Sequence, residues 1–201
     1  MKAKFFLFSA LCLIIFSSCT ITVDFEDETG TFSAYVSAYS PYVTDGSYGS
    51  NQSNITNCPS PIAKSAFEYA KLYAASDTVY KLGAQDPLRS IQIDCSGLVI
   101  MCYKYALKNT GYSLVQSDMS SSYMYEHASI KTTTPRRGDL IFMGDSNSSK
   151  ITHVAIFDRF EGDQVYFIDS TSVGRTTGVS ERHYSRNDKR IKSYGIMKLK
   201  Y

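Results

Sequence analysis

The sequence predicts an α+β domain in which helices come first, strands follow, and the helices pack on one side of an antiparallel sheet. Three observations carry this expectation. Apolar residues recur at three- and four-residue spacing over 61–76 and again over 95–106. Short apolar runs bounded by Gly, Asp and Asn fill the chain after residue 138. Between two of them, Phe160-Glu161-Gly162-Asp163-Gln164 has the composition of a hairpin connection. At 201 residues the chain has room for one such domain and some additional sequence.

The additional sequence lies at the N-terminus. Lys2 and Lys4 precede an almost unbroken apolar run over 5–16, which is too short to span a bilayer and the right length for an export signal. Phe16-Ser17-Ser18-Cys19 then has the form of a bacterial lipobox; the alternative is an ordinary secretory signal in which Cys19 is incidental. The lipobox reading makes 1–18 a signal peptide and Cys19 the acylated first residue, attached to a membrane through lipid. Thr20 after the cysteine is compatible with sorting to the outer membrane, on its periplasmic side. Residues 19–57, rich in Ser, Thr, Tyr, Gly and Asn, read as a tether, and 58–201 as the folded domain.

Charge and cysteine usage exclude several classes. The formal net charge is +2, and two of those positive charges leave with the signal, so no basic nucleic-acid footprint remains. Of five cysteines, Cys12 leaves and Cys19 serves the anchor; Cys58, Cys95 and Cys102 are too few and odd in number for a disulfide framework. No Cys/His spacing suits zinc, and neither a metal nor another cofactor is expected. Sixteen Tyr with no Trp is a skew that suits contact with polar polymers.

Within the domain, Ser60 is the expected N-cap and Pro61 the first residue of a helix over 60–76. A loop around Gly83 and Asp86-Pro87 follows. A second helix begins at Asp94-Cys95, burying Leu98, Val99, Met101, Cys102, Tyr105 and Ala106, with Gly111 beyond its end. Residues 117–129 suggest a third, more polar helix. Strands are expected over 139–143, 153–160, 164–169 and 195–200.

The chemistry concentrates at Asp94-Cys95-Ser96-Gly97. Asp94 as N-cap puts Cys95 in the first helical turn, where unpaired N–H groups and the helix dipole favour a thiolate and can hold an oxyanion. Gly97 is expected to keep the approach to the sulfur open. A capped helix with a small buried cysteine is the plainer alternative. His153 opens an apolar strand and is the candidate base, whereas His127, in a polar helical segment, and His183, in a charged loop, read as surface residues. Asp169, ending the next strand, is the candidate for orienting the imidazole, or else a turn residue at a strand end. Cys102, seven residues after Cys95, is expected in the core, and Cys58 is expected to be a loop thiol.

Asp94-Cys95-Ser96-Gly97-Leu98-Val99, Arg137-Gly138-Asp139-Leu140-Ile141-Phe142 and His153-Val154-Ala155-Ile156-Phe157 resemble, in that order, the NlpC-type cell-wall peptidases, over roughly Pro61 to the C-terminus. The resemblance implies a papain-like fold and a monomeric cysteine endopeptidase. Its partners would be peptidoglycan stem peptides or muropeptides, cut after D-glutamate and before a diamino acid. By the same resemblance Cys95 is the nucleophile, His153 the base, Tyr80 an oxyanion support, and Asp94 and Ser96 peptide contacts, with Asp94 near the substrate's free amine. Two positions depart from the family pattern: Leu82-Gly83-Ala84 stands where Trp-Gly-Gly is usual, and Asp169 where a histidine or amide is usual. An amidase or transpeptidase acting on another amide, and an envelope-binding lipoprotein that cuts nothing, remain as alternatives.

Overall fold

The computed structural model describes residues 20–27, 30–37, 54–85, 91–173 and 177–201. Cys19 and the signal segment lie outside the described residues. The chain divides into two units, Met1–Tyr48 and Gly49–Tyr201. In the first, β1 (Thr20–Asp27) and β2 (Gly30–Ser37) form an antiparallel hairpin. This part of the expected tether carries a strand signature: Ile21, Val23 and Phe25 alternate with Thr22, Asp24 and Glu26.

The second unit runs β3 (Ile55–Asn57), α1 (Ser60–Ala74), β4 (Thr78–Tyr80), β5 (Ile91–Ile93) and α2 (Cys95–Ala106). It continues with β6 (Ser113–Leu114), α3 (Ser121–Glu126), β7 (Ser129–Thr132), β8 (Leu140–Met143) and β9 (His153–Glu161), then β10 (Gln164–Thr171), β11 (Gly178–Ser185) and β12 (Ile191–Lys200). The main sheet has the order β11-β10-β9-β8-β12-β3, with β6 and β7 also paired to β12, and every pairing in it is antiparallel. β4 and β5 form a separate short parallel pair. Because β3 pairs with β12, the sheet takes in chain three residues upstream of the expected domain start at 58.

α1 begins one residue before the expected first turn, with Pro59 at the N-cap and no side-chain cap. Its inner face buries Ile62, Ala63, Ala66, Phe67, Ala70 and Tyr73, and the small alanines let it lie close on α2. α2 in turn packs on β9 and β10, so one core joins Leu98, Val99 and Cys102 to Val154, Ile156 and Ile168. The other face of the sheet carries a second cluster of Ile141, Met143, Ala155, Phe157, Val165 and Phe167. There Phe157, Phe160 and Tyr194 meet edge-on with centroids 4.9–5.9 Å apart. The polar third helix is shorter than expected at both ends, because Ser120 caps its start and Ser129 belongs to β7. Chain reversal after α2 uses Asn109, at φ 62°, before Gly111 is reached.

Arg137-Gly138-Asp139 joins these layers. Gly138 has φ +94°, and a Cβ there would lie 1.9 Å from the carbonyl oxygen of Ala63 in α1. Its own carbonyl accepts from the Tyr103 hydroxyl of α2 at 2.9 Å, while its N–H donates to Phe157 of β9 at 2.8 Å. The buried Asp139 carboxylate accepts from the Arg136 N–H at 2.7 Å and from its guanidinium, which also reaches the Cys58 carbonyl at 3.2 Å. Cys58 lies in the connection between β3 and α1, as expected of a loop thiol, but it is buried. It is 1 % exposed, and burial, helped by the Asp139 charge, pushes its pKa up to about 12. Cys102 is fully buried, and Cys58, Cys95 and Cys102 are all unbridged.

Gly138→Ala is expected to destabilise the domain by about 2–4 kcal/mol, through backbone strain together with the clash on α1. Gly162→Ala, in a φ +55° hairpin position with open space around it, should lose only about 1 kcal/mol. Urea unfolding of the two variants checks the contrast.

Candidate active site

Asp94 shapes the site. Its Oδ1 accepts from the Gly97 N–H at 2.7 Å and the Ser96 hydroxyl at 3.0 Å, which caps α2 as the sequence suggests. Its Oδ2 accepts from the Gly83 N–H at 2.7 Å, eleven residues upstream. The carboxylate is 6 % exposed and has one acceptor direction left. The Asp94 N–H donates to the Ala84 carbonyl at 3.2 Å, so the 83–84 segment is fastened to the helix start twice. Gly97 has a different role from the one expected: a Cβ there would lie 2.4 Å from the Ala84 oxygen, so its missing side chain admits this segment rather than clearing the sulfur.

Cys95 follows as the first residue of α2, with its side chain in the wall of the core. Gly97 and Leu98 direct their N–H groups to Asp94, whereas those of Cys95 and Ser96 find no acceptor among the described residues. β4 lies beside this turn because Tyr80 pairs with Ile93, two residues before the cysteine. The Tyr80 hydroxyl is pushed above its ordinary pKa by burial and by the nearby Cys95 and Asp94.

His153 starts β9 opposite Met143 of β8, and its Nε2 lies 2.5 Å from Oδ2 of Asp169 on β10. The ring's other nitrogen, Nδ1, is left free by Asp169, and Cys95 lies near enough to the ring to favour its charged form. The β10 side is tied to the nucleophile's segment as well: the Ser170 hydroxyl, next to Asp169, donates to the Ile93 carbonyl at 2.7 Å. Burial works against a charged imidazole. Hydrogen bonds to Asp169 and Cys95, with the charges of both, outweigh it and raise the His153 pKa from 6.5 to about 9.

The structure therefore brings Cys95, His153 and Asp169 together, with Tyr80, Asp94 and Ser96 beside the cysteine. His127 stands apart as the exposed C-cap of α3. His183 is also apart, but on β11 rather than in a loop, with its ring 5.2 Å from Tyr166. Sequence reasoning missed Arg182. From β11 its Nε donates to Asp169 Oδ1 at 2.8 Å and its terminal nitrogen to Oδ2, so the fully buried carboxylate faces two cationic groups. No group of three metal-ligating side chains occurs among the described residues.

This arrangement falls within residues 77–192, which match the NlpC/P60 family model. The chain belongs to the NlpC/P60 family. These are cysteine peptidases and amidases, and the match begins after α1, later than the motifs alone suggest. A search of curated proteins found no match. Among solved structures, a Staphylococcus aureus protein described as similar to a lipoprotein of the NLP/P60 family is 25% identical, with a TM-score of 0.44. That similarity covers 73% of this chain, which spans 44% of the staphylococcal one. Ly7917 is 12% identical at a TM-score of 0.47, over 67% of this chain and 62% of its own. A second Ly7917 structure, with the hydrolyzing product of MDP, aligns at 0.43 over 69% and 62%, again at 12% identity.

The folded protein holds the His153 proton up to about pH 9, whereas an unfolded histidine releases it near 6.5. The stability this group contributes is thus complete below about pH 6.5 and lost as pH rises through 9. NMR titration of the ring should show a midpoint near 9. Asp169→Asn removes the largest raising influence, and the midpoint is expected to fall.

Proposed function

We propose that this chain is a lipid-anchored peptidoglycan hydrolase, a cysteine endopeptidase that cuts stem peptides between D-glutamate and a diamino acid. The observation that carries the reading is the placement of the His153 ring between Asp169 and Cys95, with Cys95 at the N-terminus of α2. Membership of the NlpC/P60 family supports the reaction class, and the resemblance of the motifs to NlpC-type peptidases supports the substrate and a papain-like core.

In this reading the reactive pair is a Cys95 thiolate and a His153 imidazolium. The sulfur attacks the carbonyl carbon of the scissile amide. Negative charge developing on the carbonyl oxygen is met by the N–H groups of Cys95 and Ser96, which have no acceptor among the described residues, with the Tyr80 hydroxyl nearby. His153 gives its proton to the leaving nitrogen, the C–N bond breaks, and a thioester remains on Cys95. Neutral His153 then takes a proton from water as its oxygen attacks the thioester. The C–S bond breaks, and thiolate and imidazolium are restored. Asp169 holds the ring through Nε2 and balances the imidazolium. Asp94 offers its remaining acceptor direction to the substrate's amine, and Ser96 lies beside it.

Defined muropeptides incubated with the protein should give a dipeptide and a diamino-acid-containing remainder by mass spectrometry. Other products would move the assignment to an amidase or transpeptidase. Cys95→Ala should lower the rate by at least about 10³-fold, and unchanged activity on sacculi would reject the nucleophile.

The anchor reading rests on Phe16-Ser17-Ser18-Cys19, and with it the cell envelope is the proposed location. Labelled palmitate should enter the wild-type chain and not Cys19→Ser; incorporation into the variant would reject the lipobox.

A further inference from the structure

We infer that Arg182 is a positioning residue of the site, whose guanidinium fork fixes the Asp169 carboxylate so that one oxygen is held against the His153 ring. The inference rests on the reading that Cys95 and His153 form the reactive pair.

Asp169 has no exposure to water, so its orientation is decided wholly by protein groups. Among the described residues its side-chain partners are His153, on one oxygen, and Arg182, which touches both. A carboxylate gripped by a planar fork cannot turn about its own axis without breaking two charge-assisted hydrogen bonds. The grip therefore sets the direction in which Oδ2 faces Nε2, and through the ring the direction in which Nδ1 faces the sulfur.

Arg182 is itself held. Its guanidinium lies 5.5 Å from the Phe167 ring and 5.4 Å from the Tyr184 ring, between neighbours on β10 and β11. Phe167 stands directly opposite Arg182 in the antiparallel register, which puts the arginine diagonal to Asp169 on one face of the sheet. The charged and titratable groups around the ring are then Asp169 on β10, Arg182 and Tyr184 on β11, Cys95 and its cap Asp94 at α2, and Tyr80 on β4.

A simple counter-charge for a buried carboxylate would also place a cation here, and the two roles separate experimentally. Alkylation of Cys95 by iodoacetamide, followed across pH, reads the sulfur–imidazole pair with no substrate. Arg182→Gln leaves the Asp169 charge balanced by His153 alone and removes a competing cation, which favours the protonated imidazole. The limb of the rate–pH profile set by His153 should then move to higher pH. Arg182→Lys keeps the charge but lacks the fork. It should fold, keep the position of the limb, and still alkylate about tenfold more slowly at neutral pH, as misaimed groups do.

Full rescue by Arg182→Lys in both rate and profile would show a counter-charge only and overturn the inference. A folded Arg182→Gln with the wild-type profile would overturn it too. Should Arg182→Gln fail to fold, the comparison of Arg182→Lys with wild type decides alone. Wild-type protein that cleaves no muropeptide but shows the expected alkylation differences would sink the proposed substrate and leave the role of Arg182 standing.

Discussion

A single carboxylate without access to water, Asp169, sets the terms for the sheet around it. Its charge must be met by protein groups, and those groups come from different strands, His153 on β9 and Arg182 on β11. The three strands can satisfy it only in one register. β9 and β10 reach that register through a bulge: Tyr166 pairs with Arg159 and Phe167 with Phe157, which leaves Asp158 as the extra residue. Asp158 is buried and held by Arg159, with Arg137 Nε 2.6 Å from its Oδ1 but out of line for a hydrogen bond. Without the bulge, the residues of β9 beyond it would face the opposite side of the sheet. A pair of buried acids therefore governs the site, one at the reacting end and one at the shift in register.

The legible parts of the molecule were those whose signal is local. Asp94 before an apolar helical run announced α2 and its cap, and the apolar strings of β8, β9 and β10 announced the sheet. β11 was not legible. Its sequence, Gly178-Val179-Ser180-Glu181-Arg182-His183-Tyr184-Ser185, is mostly polar because much of one face stands toward solvent, so it read as a charged loop. Arg182 was lost with it, since its importance comes from a residue thirteen positions away that the register brings near. The first half of β12 and the short β6 and β7 were missed for a related reason: their stability comes from pairing, not from an apolar pattern of their own.

Some stretches that look chemical prove architectural. Arg137-Gly138-Asp139 sits in one of the motifs that resemble the peptidase family, yet its hydrogen bonds join α2 and β9, and Arg136, bound to Asp139, reaches the β3–α1 connection at Cys58. Gly97 stands two residues from Cys95 and serves the close approach of residue 84. In both cases the constraint is space for a backbone oxygen. A glycine near a reactive residue thus informs first about what packs there, and about reaction only when a ligand has a path to it.

The double fastening of residues 83–84 to the start of α2 also bears on how a ligand would be met. A loop that closes over its ligand must be ordered at the moment of binding, and that loss of conformational entropy is subtracted from affinity. Here the folding of the chain has already imposed the order, through Asp94. A ligand arriving at Cys95 would find this segment already in place, and its binding should show little of the unfavourable entropy that accompanies loop closure.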